Sequence, residues 1–89
     1  MRFTWDPRKA ASNVRKHGVT FEEAATVFAD PLALAVDDAV DPERTLLIGL
    51  SERTRVLVTV YAEIDEDAIR IISARRATSH ERSHYEEGI

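Results

Sequence analysis

The apolar positions of this chain repeat with two different periods, and the change from one to the other falls near residue 32. Before it, Arg2-Phe3-Thr4-Trp5 alternates polar and apolar residues, which predicts a short strand ending at Asp6-Pro7, where Asp6 suits an N-cap and Pro7 the first helical position. A helix is expected from there to about His17, with Gly18 as its left-handed cap. Its apolar side is thin, Ala10, Ala11 and Val14, while Arg8, Lys9, Arg15 and Lys16 crowd the rest of its surface. Thr20 and Glu23 form a capping box for a second helix, with Val19 placed to staple onto Ala24. Phe21, Ala24, Ala25 and Phe28 make a core-facing helical stripe, which ends near Ala29-Asp30-Pro31 because the residue before proline disfavours helix. Gly18-Val19 joins the two helices into a hairpin.

From Leu32 onward the period is two. Leu32 to Val36 reads as a short strand, and Asp37-Asp38-Ala39-Val40-Asp41-Pro42-Glu43 as an exposed acidic loop. Thr45 to Leu50 and Val56 to Ala62 read as strands of an antiparallel hairpin, turned by Ser51-Glu52-Arg53-Thr54. In the second of them Val56, Val58, Val60 and Ala62 share one face and Leu57, Thr59 and Tyr61 the other. Glu63 to Asp67 form a turn, and Ala68 to Ala74 the last strand, where Arg70 faces away from Ile69 and Ile71. A final short helix runs from Thr78 to Glu87, opened by a Thr78–Glu81 capping box. The order βααββββα defines an α+β class: one domain over residues 1–89, with a mostly antiparallel sheet of four or five strands and a helical hairpin on one face.

Composition narrows the setting. With 89 residues and no cysteine, neither disulfides nor a thiolate zinc cluster can supplement a small apolar core, and the 44% hydrophobic content must supply it. No apolar run nears the about 18 residues of a membrane span, and Met1-Arg2-Phe3-Thr4-Trp5 lacks a signal peptide's apolar stretch, so a cytoplasmic protein without a membrane partner is expected. The net charge of −4 alone argues against nucleic acid, but it conceals a segregation. Residues 1–20 carry +4 and residues 68–82 carry +3, whereas residues 21–43 carry −7 with no base among them. If the two basic stretches meet, the result is a cationic site on an anionic body; otherwise each is a solvated face.

Three constellations could carry chemistry. The first gathers Lys16-His17 at the end of helix one, Arg70 in the last strand, Arg75-Arg76 at its close, and His80, Arg82, His84 and Tyr85 in the final helix. Guanidinium groups match phosphate bidentately and neutral imidazole or carboxylate can take a proton, which suits binding and cleavage of a phosphodiester. The competing reading pairs Arg70 and Arg75 with the acids of residues 37–43 and 63–67. The second is His80-Glu81-Arg82-Ser83-His84, a literal H-E-x-x-H that on a helix could hold zinc with Glu81 as base. Against a zinc protease, only five residues follow His84, the apolar positions that would bury this helix are missing, and Glu81 is already the capping partner of Thr78. The third, Glu63, Asp65, Glu66 and Asp67, reads as a polar turn rather than a magnesium site, although Glu63 sits at a strand end near where Arg70 should emerge.

Two long segments carry a resemblance. Trp5-Asp6-Pro7-Arg8-Lys9 through Lys16-His17-Gly18-Val19 and on to Phe28-Ala29-Asp30-Pro31, followed later by Ile69-Arg70-Ile71-Ile72-Ser73-Ala74-Arg75-Arg76-Ala77-Thr78, resemble the BrnT family of bacterial toxins over nearly the whole chain. The resemblance implies a RelE-like ribonuclease fold and the toxin half of a type II toxin–antitoxin pair. It implies an antitoxin of BrnA type with a ribbon-helix-helix DNA-binding part, two toxins per antitoxin dimer, and operator DNA bound only through the antitoxin. The family's Lys-His matches Lys16 and His17, and its arginines match Arg70, Arg75 and Arg76. Where the family often shows "HTER", this chain has Tyr61-Ala62-Glu63-Ile64, keeping only the glutamate.

Together these readings predict a ribonuclease that needs no cofactor or metal. Arg70, Arg75, Glu63 and His17 are the expected catalytic residues, and Lys16, Arg76, Arg15, His80 and Tyr85 the expected RNA-binding ones. The altered "HTER" position motivates an alternative, a catalytically weakened module that binds RNA and antitoxin and serves as corepressor.

Overall fold

The computed structural model describes residues 1–88 and keeps the expected order. Strand β1 (Arg2–Thr4) leads into helices α1 (Pro7–His17) and α2 (Phe21–Thr26). Strands β2 (Leu34–Asp37), β3 (Thr45–Leu50), β4 (Val56–Asp65) and β5 (Ala68–Arg76) follow, and helix α3 (Ser79–Glu87) closes the chain. The five strands form one sheet in the order β1-β5-β4-β3-β2, antiparallel except where β1 runs parallel to β5. The acidic loop after β2 thus lies at the sheet edge remote from β5.

Side-chain alternation gives each face of the sheet a different cover. Leu47, Leu57, Ile69, Ile71 and Ala74 lie on the face under the helical hairpin, where they close a core with Val19, Phe21, Ala24 and Val27. Phe3, Phe28 and Tyr61 extend this core as a run of tilted and edge-on aromatic contacts at 5.0–5.2 Å. Ile48 and Val58 are buried on the opposite face, beneath α3. The alternation read from β4, with its valines on one side and Leu57, Thr59 and Tyr61 on the other, therefore describes two covered faces rather than one covered and one solvated.

Four boundaries differ from the expectation. Helix α2 stops at Thr26, whose hydroxyl turns back onto the Glu23 carbonyl at 2.6 Å, and Val27–Ala29 continue as a 3-10 turn. Strand β2 starts at Leu34 rather than Leu32, because the Asp30 carboxylate accepts from Leu32 N at 2.9 Å and the Asp30 carbonyl from Ala33 N, which holds those residues in a turn. That turn and the 3-10 turn before it press on β3 at Gly49, where a Cβ would come within 2.9 Å of Ala33 Cβ and 2.8 Å of Val27 Cγ1. Strands β4 and β5 run longer than expected, to Asp65 and Arg76, since two bulges absorb the mismatch between them.

Helix α1 docks differently from its apolar pattern. Ala11 and Val14 are exposed, and the residue that α1 buries is Asn13. β1 is long enough to pair only with Ala68, Ile69 and Arg70, so the rest of that β5 edge lacks a strand neighbour. Asn13 substitutes for one: its side chain accepts from Ala74 N at 3.0 Å and donates to Ala74 O at 2.7 Å and to Val19 O at 2.9 Å. Buried backbone groups need partners, and one amide here satisfies both polar groups of Ala74 while fixing the helix–helix turn.

Candidate nucleic-acid interface

Helix α1 is fixed at three points, the middle one on β5. Asp6 caps its start by accepting from Arg8 N, Asn13 anchors its middle, and Gly18 in the left-handed conformation (φ 67°) ends it. Lys9, Ser12, Lys16 and His17 thereby line a shallow cleft of about 180 Å³ with Ile72 and Ser73 of β5. Arg15 and Lys16 also complement the negative end of the helix dipole, a structural role that leaves their charged ends in solvent.

A bulge decides where the arginines of β5 point. Tyr61 pairs with Ile71 and Val60 with Ser73, so Ile72 is an extra residue and the alternation shifts by one after it. Arg70 and Arg75 are five residues apart and would face opposite sides in a regular strand. With the bulge they pair with Ala62 and Val58, four residues apart on β4, and share the face opposite the helical hairpin, about 13 Å apart at ordinary strand rise. Ser73 lies between them on that face, whereas Arg76 pairs with Leu57 and belongs to the other.

The expected site residues separate into two groups. Lys16 and His17 sit with Ser73 at the β5 edge, and Arg70 is exposed on the same strand, three residues before Ser73. Arg15 is exposed on the last turn of α1, and Arg76 is exposed at the end of β5. The others are engaged elsewhere. Arg75 donates twice to Glu81, Nη1 to Oε1 at 2.7 Å and Nη2 to Oε2 at 2.8 Å. Tyr85 donates to Asp30 at 2.6 Å, and holding that proton against a carboxylate pushes its pKa up to about 12. His80 and His84, with rings 4.6 Å apart, face an apolar cleft over Leu34, Val36, Leu46 and Ile48 on the β2–β3 side.

Glu63 departs most from expectation. It pairs with Ile69 rather than Arg70, which places it on the hairpin-bearing face next to Tyr61, whose hydroxyl pKa is raised first by burial and then by the Glu63 charge. Adjacent strand positions point to opposite faces, so closeness along the hairpin does not bring this carboxylate to Arg70. The H-E-x-x-H string also resolves locally. Glu81 takes the Arg75 guanidinium and closes the capping box with Thr78, so it is not free as a base, and among the described residues no three metal-binding side chains converge.

The Arg75–Glu81 pair makes a pH prediction. Hydrogen bonding from Arg75, then from the Thr78 backbone, outweighs burial and lowers the Glu81 pKa from 4.5 to about 2. A depressed carboxyl pKa contributes stability above the unfolded value and loses it as pH falls through the folded one. Urea unfolding is therefore expected to show wild type losing stability from about pH 5 down to about pH 2, with Glu81→Gln less stable at neutral pH and flatter across that window. Parallel pH profiles for the two proteins would dissociate the pair from acid sensitivity.

Cation pairing gives the surface its character. Arg2, Arg44, Arg55 and Arg75 each meet a carboxylate. Among the described residues, Arg8, Lys9, Arg15, Lys16, Arg70, Arg76 and Arg82 do not, and all lie on α1, β5 or the start of α3, with Arg53 in the β3–β4 turn as the one other case. A helical hairpin on a five-stranded sheet, with the unpaired cations concentrated on α1, β5 and the start of α3 of an acidic body, places the molecule among small α+β proteins with a locally cationic surface.

The chain belongs to the BrnT family: the model of "Ribonuclease toxin, BrnT, of type II toxin-antitoxin system" matches residues 5–81. Among solved structures, the crystal structure of the Brucella abortus ribonuclease toxin BrnT superposes with a TM-score of 0.72 at 22% identity, over 89% of this chain and 99% of that one. At that identity the likeness carries the fold, which is the α+β arrangement expected from the residues. No curated protein matches in sequence. Membership in a toxin–antitoxin family brings an antitoxin partner with it, and among the described residues no helix is long and apolar enough to cross a membrane.

Sequence reasoning missed three contributors. Asn13 carries no signal beyond a polar residue following Ala10 by one helical turn. Ile71-Ile72 interrupts the alternation of β5, and this is the readable trace of the bulge that turns Ser73 and Arg75. The third is Arg55, which anchors the corner between α1 and the β3–β4 turn by donating to buried Glu23 and to the Gly18 carbonyl.

Proposed function

We propose that this chain is a metal-independent endoribonuclease toxin acting on single-stranded RNA. The observation that carries the reading is the segregation of carboxylate-free cations onto α1 and β5, on either side of Ser73. In the reaction, His17 takes the proton of a ribose 2′-hydroxyl, the 2′-oxygen bonds to the adjacent phosphorus, and the bond from phosphorus to the 5′-oxygen breaks. The products are a 2′,3′-cyclic phosphate and a free 5′-hydroxyl. Arg70 stabilises the charge that builds on the phosphorane, while Lys16 holds the departing side and supplies its proton. Arg76 and Arg15 bind flanking phosphates. Glu63, Arg75, His80 and Tyr85 hold secondary places, because each is on another face or already bonded.

The antitoxin in this reading is of BrnA type, a ribbon-helix-helix dimer binding two toxins over the cationic surface, with operator DNA reached only through it. Protein freed of antitoxin is expected to cleave RNA in excess chelator and to leave 2′,3′-cyclic ends. A strict requirement for added magnesium or zinc would overturn the mechanism.

A second reading has its own support. Glu81 neutralises Arg75, and Tyr61, at the altered family position, packs against Phe28. Both features suit a weakened nuclease that serves chiefly as antitoxin partner and corepressor. Induction without antitoxin separates the two: growth arrest abolished by an Arg70→Ala, Arg75→Ala double variant supports the nuclease, whereas unaffected growth with retained antitoxin binding supports the corepressor.

A further inference from the structure

Beyond the β5 edge, a second cleft lies where the β3–β4 turn, the end of β5 and α3 converge. The register that pairs Leu57 with Arg76 carries on past the strands, with Ala77 N donating to Val56 O at 2.9 Å, so the β3–β4 turn ends beside the start of α3. Thr54, Arg55, Val56, Arg76, Ala77 and Arg82 line the resulting cleft of about 490 Å³. Three of those six are arginines and none is acidic, on a chain with 16 acids and a net charge of −4.

The three arginines have different standing. Arg55 is fixed from behind by Glu23 and reaches the Gly18 carbonyl at 3.3 Å. Arg76 and Arg82 are exposed and, among the described residues, have no carboxylate within ion-pair reach. Two uncompensated guanidinium groups on one cleft repel each other, a cost that an arriving anion removes. Thr54, the only described non-glycine residue at positive φ (59°), is the left-handed residue that closes the three-residue β3–β4 loop, where Thr54 N donates to Ser51 O and Ser51 N to Arg55 O, both at 2.9 Å. Thr54 Oγ1 donates to the Arg53 carbonyl at 2.6 Å, and the residue is exposed at the rim of the cleft.

We propose that this arginine corner is a phosphate subsite for the RNA strand, remote from the bond that is cleaved. The inference rests on the ribonuclease reading above and extends it. Arg55 links the two places through Gly18, the residue after His17, so a strand lying along the end of α1 continues into the cleft. Arg76 and Arg82 take non-bridging phosphate oxygens through charge-assisted hydrogen bonds, which are indifferent to base identity. The corner thus favours RNA long enough to span from His17 to Arg82.

The test is binding of a 2′-O-methyl oligoribonucleotide, which cannot be cleaved by its own 2′-oxygen, titrated over a range of salt. Arg82→Ala and Arg76→Ala are each expected to weaken binding roughly three- to ten-fold at moderate salt and to flatten the log–log salt slope by about 0.7, one phosphate on a single strand. Arg82→Lys should keep the slope, since it keeps the charge. Arg53→Ala, in the same turn but outside the cleft, should leave affinity and slope as they are. Wild-type affinity and slope in both arginine variants, alongside lost cleavage in Arg70→Ala, would overturn the subsite and leave the ribonuclease reading standing. Wild-type protein that neither binds nor cuts RNA would overturn both. Loss of antitoxin binding with unchanged oligonucleotide binding would assign the corner to the protein partner and overturn the subsite.

Discussion

Arg70→Ala is expected to lower RNA cleavage by about 10²- to 10³-fold, the cost of removing one preorganised donor from a developing oxyanion. Its fold should survive the change. Arg70 is exposed and makes no ion pair among the described residues, and surface substitutions of that kind usually stay within about 0.5 kcal/mol of wild type. Arg75→Ala offers the internal comparison. Arg75 shares the Arg70 face, but its guanidinium is committed to Glu81, so its removal is expected to reduce cleavage less and stability more. Single-turnover cleavage and urea unfolding of both variants check the contrast. Equal catalytic losses would mean that the Glu81 pair opens during turnover, and intact cleavage in Arg70→Ala would remove Arg70 from the mechanism.

The contrast between those two arginines shows what could be read along the chain and what could not. Local signals specified the elements well: Asp6-Pro7, the Thr20 and Thr78 caps, and Gly18 each act on backbone within a few residues, and each stands where the pattern put it. The opposition of Arg70 to Ile69 and Ile71 was likewise legible, because parity within one strand is local. Relations between strands were not. A single extra residue at Ile72 reverses the parity of everything after it, which brings Arg75 onto the Arg70 face. Glu63 depended on a relation between strands too: with no bulge between Tyr61 and Glu63, ordinary alternation keeps it on the Tyr61 side, opposite Ile69 rather than beside Arg70. Charge partners were the least readable. Glu81 shows in the sequence as a capping residue, and nothing local announces that it also binds Arg75 six residues back across the end of a strand.

The same blindness concealed the most consequential ion pair in the molecule. Glu23 appears in the sequence as the third helical residue in a capping box and would be expected at the surface, yet it is only 3% exposed. Arg55, 32 residues away, donates to both of its carboxylate oxygens, and Ser51 Oγ donates a further bond at 2.7 Å. The hydrogen bonds from Arg55 outweigh burial and lower the Glu23 pKa, so the carboxylate stays charged in a nearly closed site. A buried charge that loses its partner retains its desolvation penalty, and breaking such a pair from one side costs about 3–5 kcal/mol. Arg55→Ala is therefore expected to destabilise the protein by about 3 kcal/mol, the lower end, because the Arg55 side chain keeps 21% of its surface in solvent and Ser51 remains to hold Glu23. For a domain this small, that corresponds to a melting temperature lower by about 12–24 °C. Removing both charges should cost less. Glu23→Gln in the Arg55→Ala background leaves a neutral amide that still bonds Ser51, so the double variant is expected to recover part of the loss. Thermal unfolding of the two single variants and the double variant provides the cycle. A double variant that loses the sum of the single effects would mean that Glu23 and Arg55 act on stability independently, and that the pair does not fasten the β3–β4 turn to the helical hairpin.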